Sequence, residues 1–160
     1  MNKVNGKNTS FAPIREDGSR ITICYGLKKL SGKLYEWLEV YLPKKQLSQL
    51  TLSDVKAAII ADIDERVKAQ IIGGMTWNGK PVWLSIENQL NFTNATAPVT
   101  LKIGEQEDGT PIYENFETAE QLSTFCTACN ANKQNALSAG WQEKDSIDWA
   151  PYEDYFKTEA

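Results

Sequence analysis

"GGMTWNGKPVWLSIENQLNF" (residues 73–92) packs a helix stop, a tight turn, a short strand and a helix start into twenty residues. Gly73-Gly74 ends a helix, because glycine takes the left-handed conformation at a helix C-terminus without a side-chain clash. Asn78-Gly79 is a type I′ hairpin turn, which needs positive φ at both central residues. With that turn Met75 faces Val82, and Met75, Trp77, Val82 and Leu84 share an apolar face. Pro81 falls opposite Thr76, where its missing N–H points away from the partner, so residues 80–84 read as an edge strand. Ser85 caps a short helix through Leu90 and Phe92. The stretch therefore asks for an α+β fold built from hairpins and helices, and for a helix to cover the Met75–Leu84 face.

The upstream sequence supplies that helix. In residues 51–72, Val55, Ile59, Ile63, Val67 and Ile71 recur every four positions and form an apolar stripe, with Thr51 or Ser53 as cap. Asp62–Arg66 and Asp64–Lys68 are i,i+4 pairs expected on its solvated side. Residues 20–42 alternate as a β-hairpin. A turn at Ser31-Gly32 sets Ile21 against Leu42, Ile23 against Val40 and Tyr25 against Leu38 on an aliphatic face. Thr22 then meets Tyr41, Cys24 meets Glu39 and Gly26 meets Trp37 on the other. A slip of one residue would mix the faces. Both faces are apolar, so the second needs a cover from the chain's helices or from another subunit. Residues 1–19 are polar and read as a loose arm, with a turn at Asp17-Gly18 able to fold Phe11–Ile14 back onto the next strand.

Downstream, "DGTPIY" (108–113) repeats the pattern of "NGKPVW" (78–83). It places a hairpin at 99–116, entered by Leu101 and Ile103. Thr118 caps a helix over 118–139 that carries Leu122, Phe125 and Cys129, and Gly140 interrupts it. The tail, residues 141–160, places Trp141, Trp149, Tyr152, Tyr155 and Phe156 among acidic residues, too aromatic for a disordered segment. It packs back on its own domain or inserts into a neighbour. The expected fold is α+β, with antiparallel β-hairpins and two to three packing helices. It forms a single small domain (20–140, with helices at 51–72, 85–93 and 118–139 and hairpins at 20–42, 75–84 and 99–116), preceded by the polar N-terminal arm.

Composition narrows the chemistry. The chain has 160 residues, a net charge of −4 and no histidine. The acidic balance argues against a nucleic-acid groove, which needs clustered cations. The one basic group, Lys28, Lys29 and Lys33, reads as a solvated, aggregation-resistant turn. No apolar run is long enough for a membrane span. The opening "MNKVNGKNTSF" lacks a signal peptide's apolar stretch, so synthesis and retention in a cytoplasm are expected. Without histidine, Ser-His-Asp and Cys-His nucleophiles are excluded. Cys126-x-x-Cys129 lies in a helical pattern and Cys24 is far away, so the thiols read as small core residues rather than zinc ligands. The carboxylates of "ADIDER" (61–66) point in different directions on a helix and read as solvated. No catalytic residue, cofactor or metal site is expected, and the chain does not read as an enzyme.

Aromatic surfaces remain. Trp83 with Pro81, Trp37 with Tyr41, and Trp149, Tyr152 and Tyr155 of the tail are the candidate partner-binding residues, since exposed aromatics stack on sugars or bury in protein partners. The stretch "VKAQIIGGMTWNGKPVWLSIENQLNF" (67–92) also resembles a domain of unknown function found in bacteriophage tail-fibre and tail-assembly proteins. In that family a helix leads through a glycine-containing strand and a tight turn to a second strand. A helix with a Gln-x-Asn signature follows, and a last helix closes the domain. Gln89-Leu90-Asn91 fits the signature and Phe125–Leu137 the closing helix, so the resemblance spans roughly 55–140. The 20–42 hairpin departs from the pattern, and no fibre shaft is present. The resemblance implies a virion structural protein, made in the host bacterial cytoplasm. It would be a tail, tail-fibre adaptor, head–tail connector or decoration subunit that contacts other virion proteins and copies of itself. The tryptophans alone leave open a carbohydrate-binding module for surface attachment through a glycan.

Overall fold

The computed structural model describes residues 2–7, 11–43 and 50–158. The fold is α+β, as the sequence patterns require. The strands are β1 (Asn2–Gly6), β2 (Ile14–Asp17), β3 (Arg20–Ser31), β4 (Leu34–Pro43), β5 (Met75–Trp77), β6 (Lys80–Val82), β7 (Val99–Glu105) and β8 (Pro111–Phe116). The helices are α1 (Leu52–Gly73), α2 (Ile86–Asn94), α3 (Ala119–Asp145) and α4 (Ala150–Thr158). The chain packs as two compact units: residues 1–66 with 142–160, and residues 67–141.

The first unit holds an antiparallel four-stranded sheet in the order β1-β4-β3-β2. The expected β3–β4 register holds from Ile21↔Leu42 through Tyr25↔Leu38. Beyond Tyr25 it shifts twice, leaving Lys28 opposite Glu36 and Ser31 opposite Leu34. Each shift inserts one extra residue into β3, so the turn falls at Gly32-Lys33, not at Ser31-Gly32. Gly26 lies in the first bulge at φ 65°. Trp37 therefore loses its expected place opposite Gly26; on the other edge of β4 it pairs with Val4 of β1. The segment expected as a loose arm is strapped into the sheet on both sides: β1 lies along β4, and β2 turns back through Asp17-Gly18 onto β3.

Helix α1 begins with a reciprocal cap. The Asp54 N–H donates to Thr51 Oγ1 at 3.2 Å, and the Thr51 N–H donates to Asp54 Oδ2 at 2.9 Å. Val55, Ile59 and Ile63 are fully buried, as are Ile21, Ile23 and Tyr25 on one sheet face. The Tyr25 hydroxyl donates to Asp62 Oδ2 at 2.5 Å, which fixes α1 over that face. Asp62 is thus not simply solvated. It also receives Arg66 Nε at 3.2 Å, while Arg66 forks onto Glu143 at 2.6 and 2.9 Å. Asp64 pairs with Lys144 at 2.5 Å. On the opposite sheet face Phe11 sets its ring edge-on to Trp37, with centroids 6.0 Å apart.

The second unit has its own core: Val82, Leu84, Phe92, Ile103, Ile112, Phe116, Leu122, Phe125 and Cys129. Asn78 (φ 49°) and Gly79 (φ 77°) make the expected turn, and Met75 pairs with Val82. The helix that covers the Met75–Leu84 face is α3, through Leu122, Phe125 and Cys129, and not the α1 stripe as expected. Of that stripe only Ile71 reaches this core. Residues 80–84 are also not a bare edge. The Trp83 N–H donates to Ile103 O at 2.9 Å, so β7 lies beside β6. Pro81 leaves no N–H to continue a regular ladder there, and β7 comes so close that a Cβ on Gly104 would sit 2.4 Å from Pro81 O. Helix α3 runs through Gly140, which is buried, rather than stopping before it.

Candidate functional site

The sequence offered three aromatic groups as partner surfaces, and the structure sorts them by what their neighbours leave exposed. The first, Trp37 and Tyr41, does not form an open surface. Adjacent strands β2, β3 and β4 bring Arg15, Thr22, Cys24, Trp37, Glu39 and Tyr41 to one face. At its centre Glu39 is buried. Its Oε1 accepts from Arg15 Nη2 at 2.7 Å and from Trp37 Nε1 at 3.1 Å, and its Oε2 from the Tyr41 hydroxyl at 2.9 Å. Arg15 Nε also reaches Asp17 Oδ2 at 3.0 Å, which accepts the Thr22 hydroxyl at 2.5 Å. The Arg20 guanidinium stacks on the Tyr41 ring at 3.9 Å.

Burial pushes the Glu39 carboxyl up. The donors Trp37, Tyr41 and Arg15, together with the Arg15 charge, outweigh that push and leave it below its ordinary value. Burial drives the Cys24 thiol up to about 11, so it stays protonated at neutral pH and is no nucleophile. The cluster is a satisfied polar core, and Trp37 is withdrawn as a contact residue because it is buried. The sequence signal that could have found it was present: a glutamate flanked at alternate positions by Trp37 and Tyr41, all on one face of the strand.

The tail group divides. Tyr152 and Tyr155 lie in α4 and Trp149 just before it; Tyr152 is buried and donates its hydroxyl to Cys24 O at 2.6 Å. Tyr152 is therefore withdrawn as an outward contact. Trp149 and Tyr155 are half-buried: Lys56 Nζ lies 5.1 Å from the Trp149 ring centre, and Tyr155 packs edge-on against Phe156. Of the two alternatives for the tail, packing on its own unit is the one realised by Tyr152.

Trp83 and Pro81 remain, both exposed. Trp77 turns inward and packs edge-on against Phe125 at 5.3 Å, while Trp83 is 43% exposed. Pro81 and Trp83 line a shallow cleft of about 710 Å³ with Glu105, Gln106, Glu107 and Asp108. Glu105 is paired with Lys102 at 2.5 Å, and Asp108 Oδ1 accepts the Thr110 N–H at 2.9 Å. Next along the chain α2, capped by Ser85 accepting from the Asn88 N–H at 3.2 Å, leaves Ile86 65% and Leu90 57% exposed. Sequence reasoning missed these two. It counted Leu90 as part of a packing helix, but Phe92 alone of α2 enters the core. The sequence kinship of "NGKPVW" and "DGTPIY" has a structural counterpart: Val82 and Ile112 are buried, while Trp83 and Tyr113 are exposed.

Cys126 donates to Phe92 O at 3.4 Å and Cys129 lies in the core, where burial drives its thiol up to about 11. Among the described residues no three His, Cys, Asp or Glu side chains converge as metal ligands, and no helix is long and apolar enough to cross a membrane. Comparison with protein-family models, curated proteins and solved structures gave no match.

Proposed function

We propose that this chain is a non-enzymatic structural subunit of a bacteriophage virion, in the tail, as a tail-fibre adaptor, or as a head–tail connector or decoration subunit. It is made in the bacterial cytoplasm and works by protein–protein contact. The observation that supports the reading is the exposure of Trp83, Ile86 and Leu90 within the segment that resembles tail-fibre and tail-assembly proteins. Large apolar side chains left in water at helical and strand positions favour burial against a partner. Mass spectrometry of purified particles tests it. Peptides of this chain should co-purify in fixed stoichiometry with the other virion proteins. Their absence from particles, in infected cells that make the protein, overturns the proposal.

A second reading, glycan attachment, has one observation in its favour. The exposed Trp83 ring stands beside the carboxylates and the amide of residues 105–108, a combination that suits a sugar's apolar face and hydroxyl groups. Saturable binding on a glycan array that is lost in Trp83→Ala would favour this reading over the first.

A further inference from the structure

The tip of the β3–β4 hairpin is built unlike the rest of its sheet. Strand β2 pairs with β3 only as far as Ile23, and β1 with β4 only as far as Tyr35. Residues 26–34 are exposed without a break. A merely solvated turn would carry polar side chains there. Instead Leu27 is 39%, Leu30 44% and Leu34 43% exposed, interleaved with the exposed Lys28, Lys29 and Lys33. The two bulges in β3 break the strict alternation of side chains in this stretch. The tip is thus both greasy and cationic. The Trp83 cleft has the opposite charge: an exposed indole and Pro81 beside Glu105, Glu107 and Asp108. Lysine ammonium groups are attracted to indole faces and to carboxylates, and leucines bury against indole and proline.

We propose that the β3–β4 tip of one copy docks on the Trp83 cleft of a second copy, with Lys28, Lys29 and Lys33 facing the acidic rim and the exposed leucines covering Trp83. The partner is a second copy because both complementary surfaces belong to the same chain. The contact is head-to-tail, since the two surfaces differ, and copies joined this way close into a ring or run on as a filament. This inference rests on the assembly reading above and supplies its surface.

Sedimentation velocity of the full chain tests it with charge exchange. Wild-type protein should show concentration-dependent association. Raising ionic strength from about 0.1 M to about 1 M, which shortens the screening length from ~10 Å to ~3 Å, should weaken that association. Lys28→Glu/Lys29→Glu/Lys33→Glu and Gln106→Lys/Glu107→Lys should each be monomeric alone, while an equimolar mixture of the two should associate again. Recovery in the mixture shows that both variants are folded and that the two surfaces meet. Trp83→Ala should lose association at least tenfold. A monomeric wild type, association unchanged by either charge reversal, or a mixture that stays monomeric would each overturn the docking. Virion membership is judged separately by particle content, so a chain found in particles but monomeric in solution sinks this inference alone.

Discussion

At the scale of single residues, two positions carry consequences far larger than their size. Gly74 sits at φ 77°, and a Cβ there would lie 1.7 Å from Val82 O. The clash is with backbone, so no rotamer change relieves it. Its own N–H closes α1 onto Ile71 O at 3.0 Å, and its carbonyl accepts from Asn132 Nδ2 at 3.3 Å. Gly74→Ala should cost more than about 3 kcal/mol, well above the ~1 kcal/mol of conformational strain alone, as measured by chemical denaturation. Gly79 has the same φ but open space around its Cβ position, so Gly79→Ala should cost only about 1 kcal/mol. The second position is Glu39. Its folded carboxyl lies below its ordinary value of 4.5, so the stability it gives is fully present above pH 4.5 and is lost as pH falls through the lower folded value. Glu39→Gln should destabilise at neutral pH by about 2–3 kcal/mol, because charge-assisted hydrogen bonds from Arg15, Trp37 and Tyr41 are weakened together. It should also flatten the acid limb of the stability–pH profile. An unchanged acid limb in the variant would assign that limb to other carboxylates.

At the scale of elements, the pair Trp77 and Trp83 tests the division between core and surface. Trp77 packs on Phe125, so Trp77→Ala should cost about 3–5 kcal/mol in thermal or chemical melts. Trp83→Ala should leave the melting temperature near wild type, because its tie to β7 is the backbone N–H to Ile103 O and survives truncation. This division was legible in the sequence. The Asn78-Gly79 turn fixes which side chains share a face, and the caps at Thr51, Ser85 and Thr118 mark where helices begin. Such signals are local: a cap or a turn is decided within four residues. What was not legible was non-local. Nothing in "NKVNG" announces that it pairs with Trp37 and its neighbours, since polar strands carry no face pattern. The Gly26 bulge breaks no hydrophobic period that would betray it. An apolar stripe states that a helix is covered, not by which partner, so α3 was passed over in favour of α1. Gly140 looked like a stop because glycine weakens helices on its own, but here the residue is buried, where a small side chain is an advantage. The polar cluster around Glu39 required β2 to lie beside β3, which only the Asp17-Gly18 turn hinted at.

At the scale of the whole molecule, contacts sort into two units, and the first draws its parts from both ends of the sequence. Phe11 packs against Trp37 of β4, Arg15 of β2 holds Glu39 of β4, and α4 reaches β3 through Tyr152. Long-range contacts of this kind tie the first unit to its N-terminal strands, which the sequence pattern gives as a loose arm, and to the tail, which it gives as packing back or inserting into a neighbour. It also explains why the aromatic tail is not simply an outward hook: the Tyr152 ring is buried and its hydroxyl satisfies the Cys24 carbonyl. Burial, with the nearby Cys24 and Asp148 adding to it, holds the Tyr152 phenol well above its ordinary value, so this donor stays protonated across the usable pH range. Tyr152→Phe removes one hydrogen bond but keeps the ring, and should cost about 1 kcal/mol. Tyr152→Ala also empties the ring's place and should cost about 3–5 kcal/mol. Hydrogen exchange read by mass spectrometry locates the damage. Peptides covering β3 and β4 should exchange faster in Tyr152→Ala, while those covering β7 and β8 keep their protection, because α4, β3 and β4 belong to the first unit and β7 and β8 to the second. Equal loss of protection in both sets of peptides would mean that the two units open as one cooperative body, and the C-terminal helix would then be a clasp for the whole chain rather than for its first unit.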